Sequence, residues 1–297
     1  MKIAIAVLTW NRNVALNRFL VSCGPEIRER QATVAVFEDC GFRDNTRAWI
    51  ENQRFIDYRP QLAANEYLHK DLPIHLFAGT ANLGVAGNSN RALRWFLSTD
   101  CDYLLLCNDD IEFNGSVTAY PEAYGKTGLE FFCFGGIAGS DFKYVPMMCH
   151  GVELLSCSRI TGALIALPRI SVERLGYFDT RFGHFGEEHC DYTHRARLLG
   201  MLDIDGVPQI SIDLKDPKVR HQQVESSLTT EERGKAVGAA ESVMSTYSYL
   251  SAPLYRPYSL AHCPAANGVL HIGIGTDQLL GYKTVLTGEH SEARCLD

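Results

Sequence analysis

The stretch Tyr103-Leu104-Leu105-Leu106-Cys107-Asn108-Asp109-Asp110-Ile111 constrains this chain more than any other: an apolar run stops abruptly at two adjacent carboxylates. Such a run leaves no solvent face, so it reads as a strand buried on both sides, as in a parallel sheet covered by helices. The acids then stand at its C-terminal end. In open α/β sheets that edge is where ligands bind, and carboxylates there are placed to hold a divalent cation against a phosphate. The same acids would serve equally well to begin a turn.

The pattern recurs along the first half. Lys2 to Leu8 is a buried strand ending at Thr9-Trp10-Asn11-Arg12, followed by helical spacing of Val14, Leu16, Phe19 and Leu20 that Gly24-Pro25 is expected to terminate. Ala32 to Phe37 is a second strand and again ends in acids, Glu38 and Asp39; residues Arg43 to Phe55 return to helical spacing. Ile74 to Ala78 is a third strand, followed by Asn82-Leu83-Gly84-Val85-Ala86-Gly87 and a helix through Arg91, Leu93 and Leu97. Strands alternating with helices at this spacing predict βαβ units, a mostly parallel sheet, and four polar strand ends converging on one crevice. Beyond Phe113 short apolar runs at Phe131 to Ile137, Tyr144 to Met148 and Ile160 to Leu167 suit mixed or antiparallel strands. A loop rich in glycine and aromatics, Arg181 to Glu188, feeds a helix over Cys190 to Leu199; Leu202 to Leu214 supplies one or two strands, and a last helix is expected from Thr229 to about Leu250.

With 46% hydrophobic and 21% charged residues, the 297-residue chain has the composition of a soluble globular protein rather than a disordered or fibrous one. A formal charge of -7 argues against a broadly basic nucleic-acid-binding surface. The ten cysteines lack C-x-x-C spacing and read as free thiols, and Met1 to Thr9 is too short for a membrane span and lacks a cleavage-site pattern. A reducing cytoplasm is the expected compartment.

Five separated motifs occur in one order, and together they resemble the family 2 glycosyltransferases. Thr9-Trp10-Asn11-Arg12 resembles that family's T-Y-N-R opening, Glu38-Asp39 the acid that contacts the nucleotide base, Asn82 to Asn90 its N-x-G-x-x-G-x-x-N segment, and Asn108-Asp109-Asp110 its D-x-D metal motif. Thr161-Gly162-Ala163 through Gly176-Tyr177-Phe178-Asp179, Phe182, Glu187-Glu188, Asp191 to Arg195 and Gly200 resembles the acceptor-side half. The resemblance implies an α/β chain of GT-A (Rossmann-like) fold: a mostly parallel central sheet, helices on both faces, and a smaller mixed or antiparallel acceptor-side sheet. It implies a transferase domain over residues 1–227, divided into a nucleotide-sugar half (1–112) and an acceptor half (113–227), with 228–297 as a helical or irregular extension. It also implies an inverting transferase that uses a UDP, GDP or dTDP sugar.

The residues can be weighed against that chemistry. Displacing a nucleoside diphosphate from an anomeric carbon puts negative charge on the leaving group, which a bound manganese or magnesium ion stabilises as a Lewis acid. Asp110 is the leading ligand, with Asp109 joining directly or through water; Asn108 departs from the first Asp of D-x-D, and its amide suits a ribose hydroxyl. His221, in Val219-Arg220-His221-Gln222-Gln223, resembles the histidine that completes the metal site in several family members, and imidazole suits manganese beside carboxylates. On the donor the resemblance places Thr9, Asn11, Arg12, Asp39, Asn82, Gly84, Asn90, Asn108 and Asp109. Asp39 would accept a hydrogen bond from a base N–H or cap a helix; Arg12 would pair with phosphate or brace Asp39; Asn90 would brace the donor or cap its own helix turn. Inversion needs a base on the acceptor hydroxyl, worth about 10² to 10⁴ fold. Glu187, Glu188 and His189 are the candidates, because the acidic pair stands one residue further from Asp191 than in the family, and Glu188 is favoured since both alignments include it.

Two other classes share features of this pattern. A nucleotidyltransferase carries a glycine-rich, basic phosphate loop after strand one, where this chain has Thr9-Trp10-Asn11-Arg12. A degraded, non-catalytic sugar-binding module would account for Asn108 and the irregular acidic pair, whereas intact Asp110, Glu188 and His221 argue against decay. The expected acceptor is a saccharide, with a nucleic-acid hydroxyl or a lipid-linked acceptor as alternatives. Tyr247, Tyr249, Tyr255, Tyr258 and His262 in the tail offer aromatic surface without assigning a site.

Overall fold

The computed structural model describes residues 1–29, 32–39, 74–78, 82–134, 144–157, 160, 162–222, 229, 231, 234, 235 and 238. The helix expected over Arg43 to Phe55, Thr161, nearly all of the helix expected from Thr229, and the aromatic tail lie outside them.

The strands are β1 (Ile3–Thr9), β2 (Ala32–Glu38), β3 (Ile74–Ala78), β4 (Tyr103–Asn108), β5 (Ile111–Phe113), β6 (Phe132–Cys133), β7 (Tyr144–Cys149), β8 (Val152–Cys157), β9 (Leu164–Pro168), β10 (Asp203–Ile204), β11 (Val207–Pro208), β12 (Ser211–Leu214) and β13 (Val219–His221). The helices are α1 (Asn13–Ser22), α2 (Gly24–Arg28), α3 (Gly84–Ser98), α4 (Ala119–Thr127), α5 (Arg169–Leu175) and α6 (Glu188–Leu198).

Among the described residues the main sheet runs β3-β2-β1-β4-β9-β6. The pairs β2 with β3, β1 with β2 and β1 with β4 are parallel, while β9 turns back against both β4 and β6. Ile3 to Val7 and Tyr103 to Cys107 are buried without interruption, as their unbroken apolar sequence requires of strands covered on both faces. Helix α3 packs on β1 and β2, and its Ala86, Leu93 and Phe96 are buried in the core. A second sheet, β12-β8-β7, is antiparallel, and β13 pairs antiparallel with β5. The expected mixed sheet with a parallel first half is therefore the observed one.

Several local expectations need correction. Gly24-Pro25 follows the end of α1 but also opens α2, because proline in a first helical turn gives up an N–H that has no intrahelical partner there. Strand β8 was not anticipated; it returns from β7 through His150 and Gly151, whose φ values of 46° and 79° match a tight hairpin turn. The segment from Leu202 to Leu214 holds three short strands instead of one or two. Helix α6 begins at Glu188, two residues early, which places Glu188 and His189 in its first turn. The seven described cysteines carry free thiols; Cys40, Cys263 and Cys295 lie outside the described residues. No helix among the described residues is long and apolar enough to cross a membrane.

Candidate functional site

The chain leaves β1 for β2 and β3 on one side, then crosses to β4 on the other. The strand order therefore reverses between β1 and β4, and the carboxyl ends of those two strands bound the crevice where α/β sheets bind ligands. Thr9 closes β1, and Asp109 follows β4, its N–H bonded to the Leu8 carbonyl at 3.1 Å. Thr9 Oγ1 donates to Asp109 Oδ2 at 2.7 Å, and Arg12 Nη1 bridges Asp109 Oδ1 at 3.3 Å and Asp110 Oδ2 at 2.9 Å. Asn11 reaches this turn in the left-handed region, φ 54°, which asparagine tolerates better than most residues.

His221 arrives through register. The β13–β5 ladder sets His221 opposite Ile111, beside Asp110, and leaves its Nε2 3.6 Å from Asp110 Oδ2. That spacing is too long for a good hydrogen bond. Asp110 Oδ1 is buried without a hydrogen-bond partner. Burial alone would raise the Asp110 carboxyl, but the His221 imidazole and Arg12 guanidinium overcome it and hold it below the ordinary carboxylate range. His221 is in turn raised above its usual value by Asp110, against burial. Burial dominates at Asp109 and pushes it up to about 7 despite Arg12.

These environments divide the acids. Asp109 has both oxygens taken by protein donors, whereas Asp110 keeps an unsatisfied oxygen beside an imidazole nitrogen. An ionised carboxylate and an imidazole suit a manganese or magnesium ion. No group of three or more His, Cys, Asp or Glu side chains among the described residues forms a metal cage, so Asp110 and His221 would hold an ion only together with ligand oxygens or water.

Nothing in the sequence sets Gln222 apart from its polar neighbours. Its backbone N–H donates to the Asp110 carbonyl at 2.6 Å, and its buried Nε2 faces the carbonyls of Ile111, Asp109 and Ala15 at 3.0 to 3.2 Å. It ties β13 to the acidic turn and so keeps His221 against Asp110.

Asp39 meets the start of α3: Oδ1 accepts from Leu83 N–H at 2.7 Å and Oδ2 from Gly84 N–H at 2.9 Å. Asn82 Oδ1 also accepts from Gly84, and Val85 N–H is taken by the His184 carbonyl. The first turn of α3 is thus capped by protein. Burial pushes the Asp39 carboxyl up to about 7, against those N–H groups and nearby Arg91. Asn90 spends its amide on the Phe178 backbone, accepting at 2.8 Å and donating at 3.0 Å, so it joins the two halves. Arg12 braces Asp109 and Asp110 in place of Asp39.

The third group lies across β4. Asn108 N–H donates to the Ala163 carbonyl at 2.9 Å, and a Cβ on neighbouring Gly162 would lie 2.3 Å from the His189 ring. His189 Nδ1 stands 2.8 Å from Glu188 Oε1. Glu188 is buried at the start of α6, and Glu187 before it is exposed with φ 62°. Asp191 accepts from Arg195 Nε at 3.0 Å in a buried pair.

This architecture is a GT-A fold. The crystal structure of GalNAc-T7 with UDP, GalNAc and Mn2+ matches 99% of this chain and 58% of its own at a TM-score of 0.57 and 10% identity. The mannosyltransferase PcManGT from Pyrobaculum calidifontis, in complex with GDP-Man and Mn2+, matches 67% of this chain and 52% of its own at 16% identity and a TM-score of 0.43. S. aureus TarS 1-349 matches 84% and 74% at 13% identity and a TM-score of 0.45. The chain thus spans about half the length of the mannosyltransferase. No protein-family model matches the chain, and no curated protein sequence matches it.

Proposed function

We propose that this chain is an inverting, family 2-like glycosyltransferase that moves a sugar from a nucleoside-diphosphate donor to an acceptor hydroxyl, a saccharide by default, over a domain spanning residues 1–227. The observation that carries the reading is the pairing of Asp110, which has an unsatisfied buried oxygen, with His221 at the switch point of the sheet. The GT-A fold supports it, as does the UDP and Mn2+ complex of GalNAc-T7.

In this reading Asp110 and His221 hold a manganese or magnesium ion. The ion supplies Lewis-acid stabilisation of the charge that develops on the departing diphosphate. Arg12, already drawn to both acids, offers its guanidinium to phosphate oxygens, for which its planar fork is suited. Thr9 and Gln222 keep the acidic turn in place. Asn108 replaces a charged ligand with an amide that suits a ribose hydroxyl. Across β4, Glu188 and its bonded neighbour His189 supply the base for the acceptor.

A thermal-shift screen of uridine, guanosine and thymidine diphosphate sugars, with and without manganese, tests the proposal. One nucleotide class is expected to stabilise the protein in a manganese-dependent way, and Asp110→Ala to abolish that shift. No shift with any nucleotide overturns it.

A further inference from the structure

We propose that the acceptor's proton is taken by His189 and that Glu188 is its positioning residue, so the two form a carboxylate–imidazole dyad. The proposal rests on the glycosyl-transfer reading and assigns its base.

The first support is the burial of Glu188, whose side chain is only 4% exposed. Its Oε1 lies 2.8 Å from His189 Nδ1, and its Oε2 is buried without a hydrogen-bond partner. A carboxylate closed off in this way has no open face toward an incoming hydroxyl; what it presents outward is the imidazole. The second is the seat of His189. A Cβ at Gly162 would lie 2.3 Å from Cδ2 and 2.4 Å from Cγ and Nδ1, so the ring occupies the space that any other residue at 162 would need. The Phe178 ring meets the imidazole edge-on, centroids 5.7 Å apart. Glycine, phenylalanine and carboxylate together hold one ring orientation, and Nε2 takes no hydrogen bond among the described residues. The third is position: Gly162 adjoins Ala163, whose carbonyl accepts from Asn108, so the dyad lies beside the same strand end as the donor acids.

A carboxylate at Nδ1 keeps a proton there and leaves Nε2 with its lone pair. During transfer the acceptor oxygen forms its bond to the anomeric carbon on the face opposite the diphosphate, while its proton passes to Nε2. The anomeric carbon–oxygen bond breaks, and its electron pair leaves with the diphosphate. The resulting imidazolium is stabilised by Glu188 and later gives its proton to water.

Long-range 1H–15N NMR of the full chain reads the tautomer without any substrate. At alkaline pH His189 is expected to carry its proton on Nδ1, with that preference lost in Glu188→Ala; an Nε2–H tautomer in the wild type overturns the dyad, whatever becomes of the glycosyl-transfer reading. Kinetics with the donor found by thermal shift give a second test. His189→Ala is expected to lower kcat on the order of 10² to 10⁴ fold at unchanged nucleoside-diphosphate affinity, with partial rescue by added imidazole. Glu188→Gln, whose amide oxygen still accepts from Nδ1, retains more activity than Glu188→Ala. Equal loss in both Glu188 variants with turnover kept in His189→Ala makes the carboxylate itself the base and overturns the proposal. Failure of the wild type to bind any nucleoside diphosphate overturns the glycosyl-transfer reading instead, and the tautomer then decides the dyad.

Discussion

The proposed donor edge, with Asp109 and Asp110, and the proposed acceptor edge, with Glu188 and His189, meet at Asn108, yet they are built differently. On the donor edge Asp109 and Asp110 follow a strand whose neighbours are fixed residue by residue through Leu8↔Asn108, and His221 is delivered by the β13–β5 ladder. Arg12 offsets the paired negative charge. On the acceptor edge Glu188 and His189 follow a loop in which Gly183, Gly186 and Glu187 have φ values of 74°, 110° and 62°. Glu187, with a side chain in that region, stores backbone strain of a kind that persists where surrounding structure over-determines it. The difference teaches that a cluster of charges needs a rigid, register-locked frame, whereas the Glu188–His189 pair hangs on a turn whose shape is set by packing.

Removing Asp110 breaks the proposed donor edge alone. Asp110→Ala should weaken manganese-dependent nucleotide binding by at least about 10² fold, since losing only an outer-shell partner costs 10 to 100 fold. Calorimetry with nucleoside diphosphate and manganese checks this, and the His189 NMR signals should stay in place. Unaltered affinity would detach the metal from this carboxylate.

The reciprocal break falls on the scaffold of the acceptor edge. Arg195 is buried, pairs with Asp191, and donates to the carbonyls of Leu175 and Tyr177 at 2.7 and 2.8 Å. Arg195→Leu leaves Asp191 buried without its guanidinium partner and removes the hydrogen bonds to both carbonyls, at a cost of about 3 to 5 kcal/mol. Denaturant unfolding measures it, and a loss under about 1 kcal/mol would show that the pair is not buried in solution.

The same contrast explains what the chain revealed in advance. Strands β1, β2 and β4 were legible because burial on both faces forces a nearly unbroken apolar run, and the polar residues that end each run mark the crevice. Tyr103 to Asp110 carried fold and site together. Strand β13 was hidden, because three residues give no periodicity and its stability comes from β5, more than a hundred residues earlier in the chain. Gln222 was hidden for the same reason: its partners are backbone carbonyls of distant segments. The Glu188–His189 contact depends on a helix starting two residues early and on the space left by Gly162, neither of which spacing encodes. Asn90 and Asp39 stand out in the sequence by motif, and their hydrogen bonds to Phe178 and to Leu83 and Gly84 join segments that spacing does not bring together.

Gly84 is the seam between the edges. It adopts φ +71°, and a Cβ there would lie 2.3 Å from the His184 Cα and 2.7 Å from its carbonyl oxygen. Backbone strain and the collision together predict a loss of about 2 to 4 kcal/mol for Gly84→Ala. If the seam also sets the loop before Glu188, transfer should fall further than metal affinity, measured side by side on folded protein. Equal losses would mean that the two edges move as one.

The last expected effect concerns pH at Asp39, which bonds the backbone of that seam. Asp39 titrates at about 7 in the folded chain against an ordinary 3.8, chiefly because it is buried. Between those values the folded state holds a proton that the unfolded chain has released, so this group's contribution is fully present below about pH 4 and is lost as pH rises toward 7. The slope approaches but does not exceed about 1.4 kcal/mol per pH unit for a single group. Asp39→Asn removes the titration, and its one carbonyl oxygen serves only one of the N–H groups of Leu83 and Gly84. Its unfolding free energy should therefore be lower at pH 4, yet flatter from pH 4 to 7 than that of the wild type. Denaturant curves at several pH values decide the matter: parallel profiles for the two proteins would show that Asp39 is ionised throughout and that its N–H partners outweigh its burial.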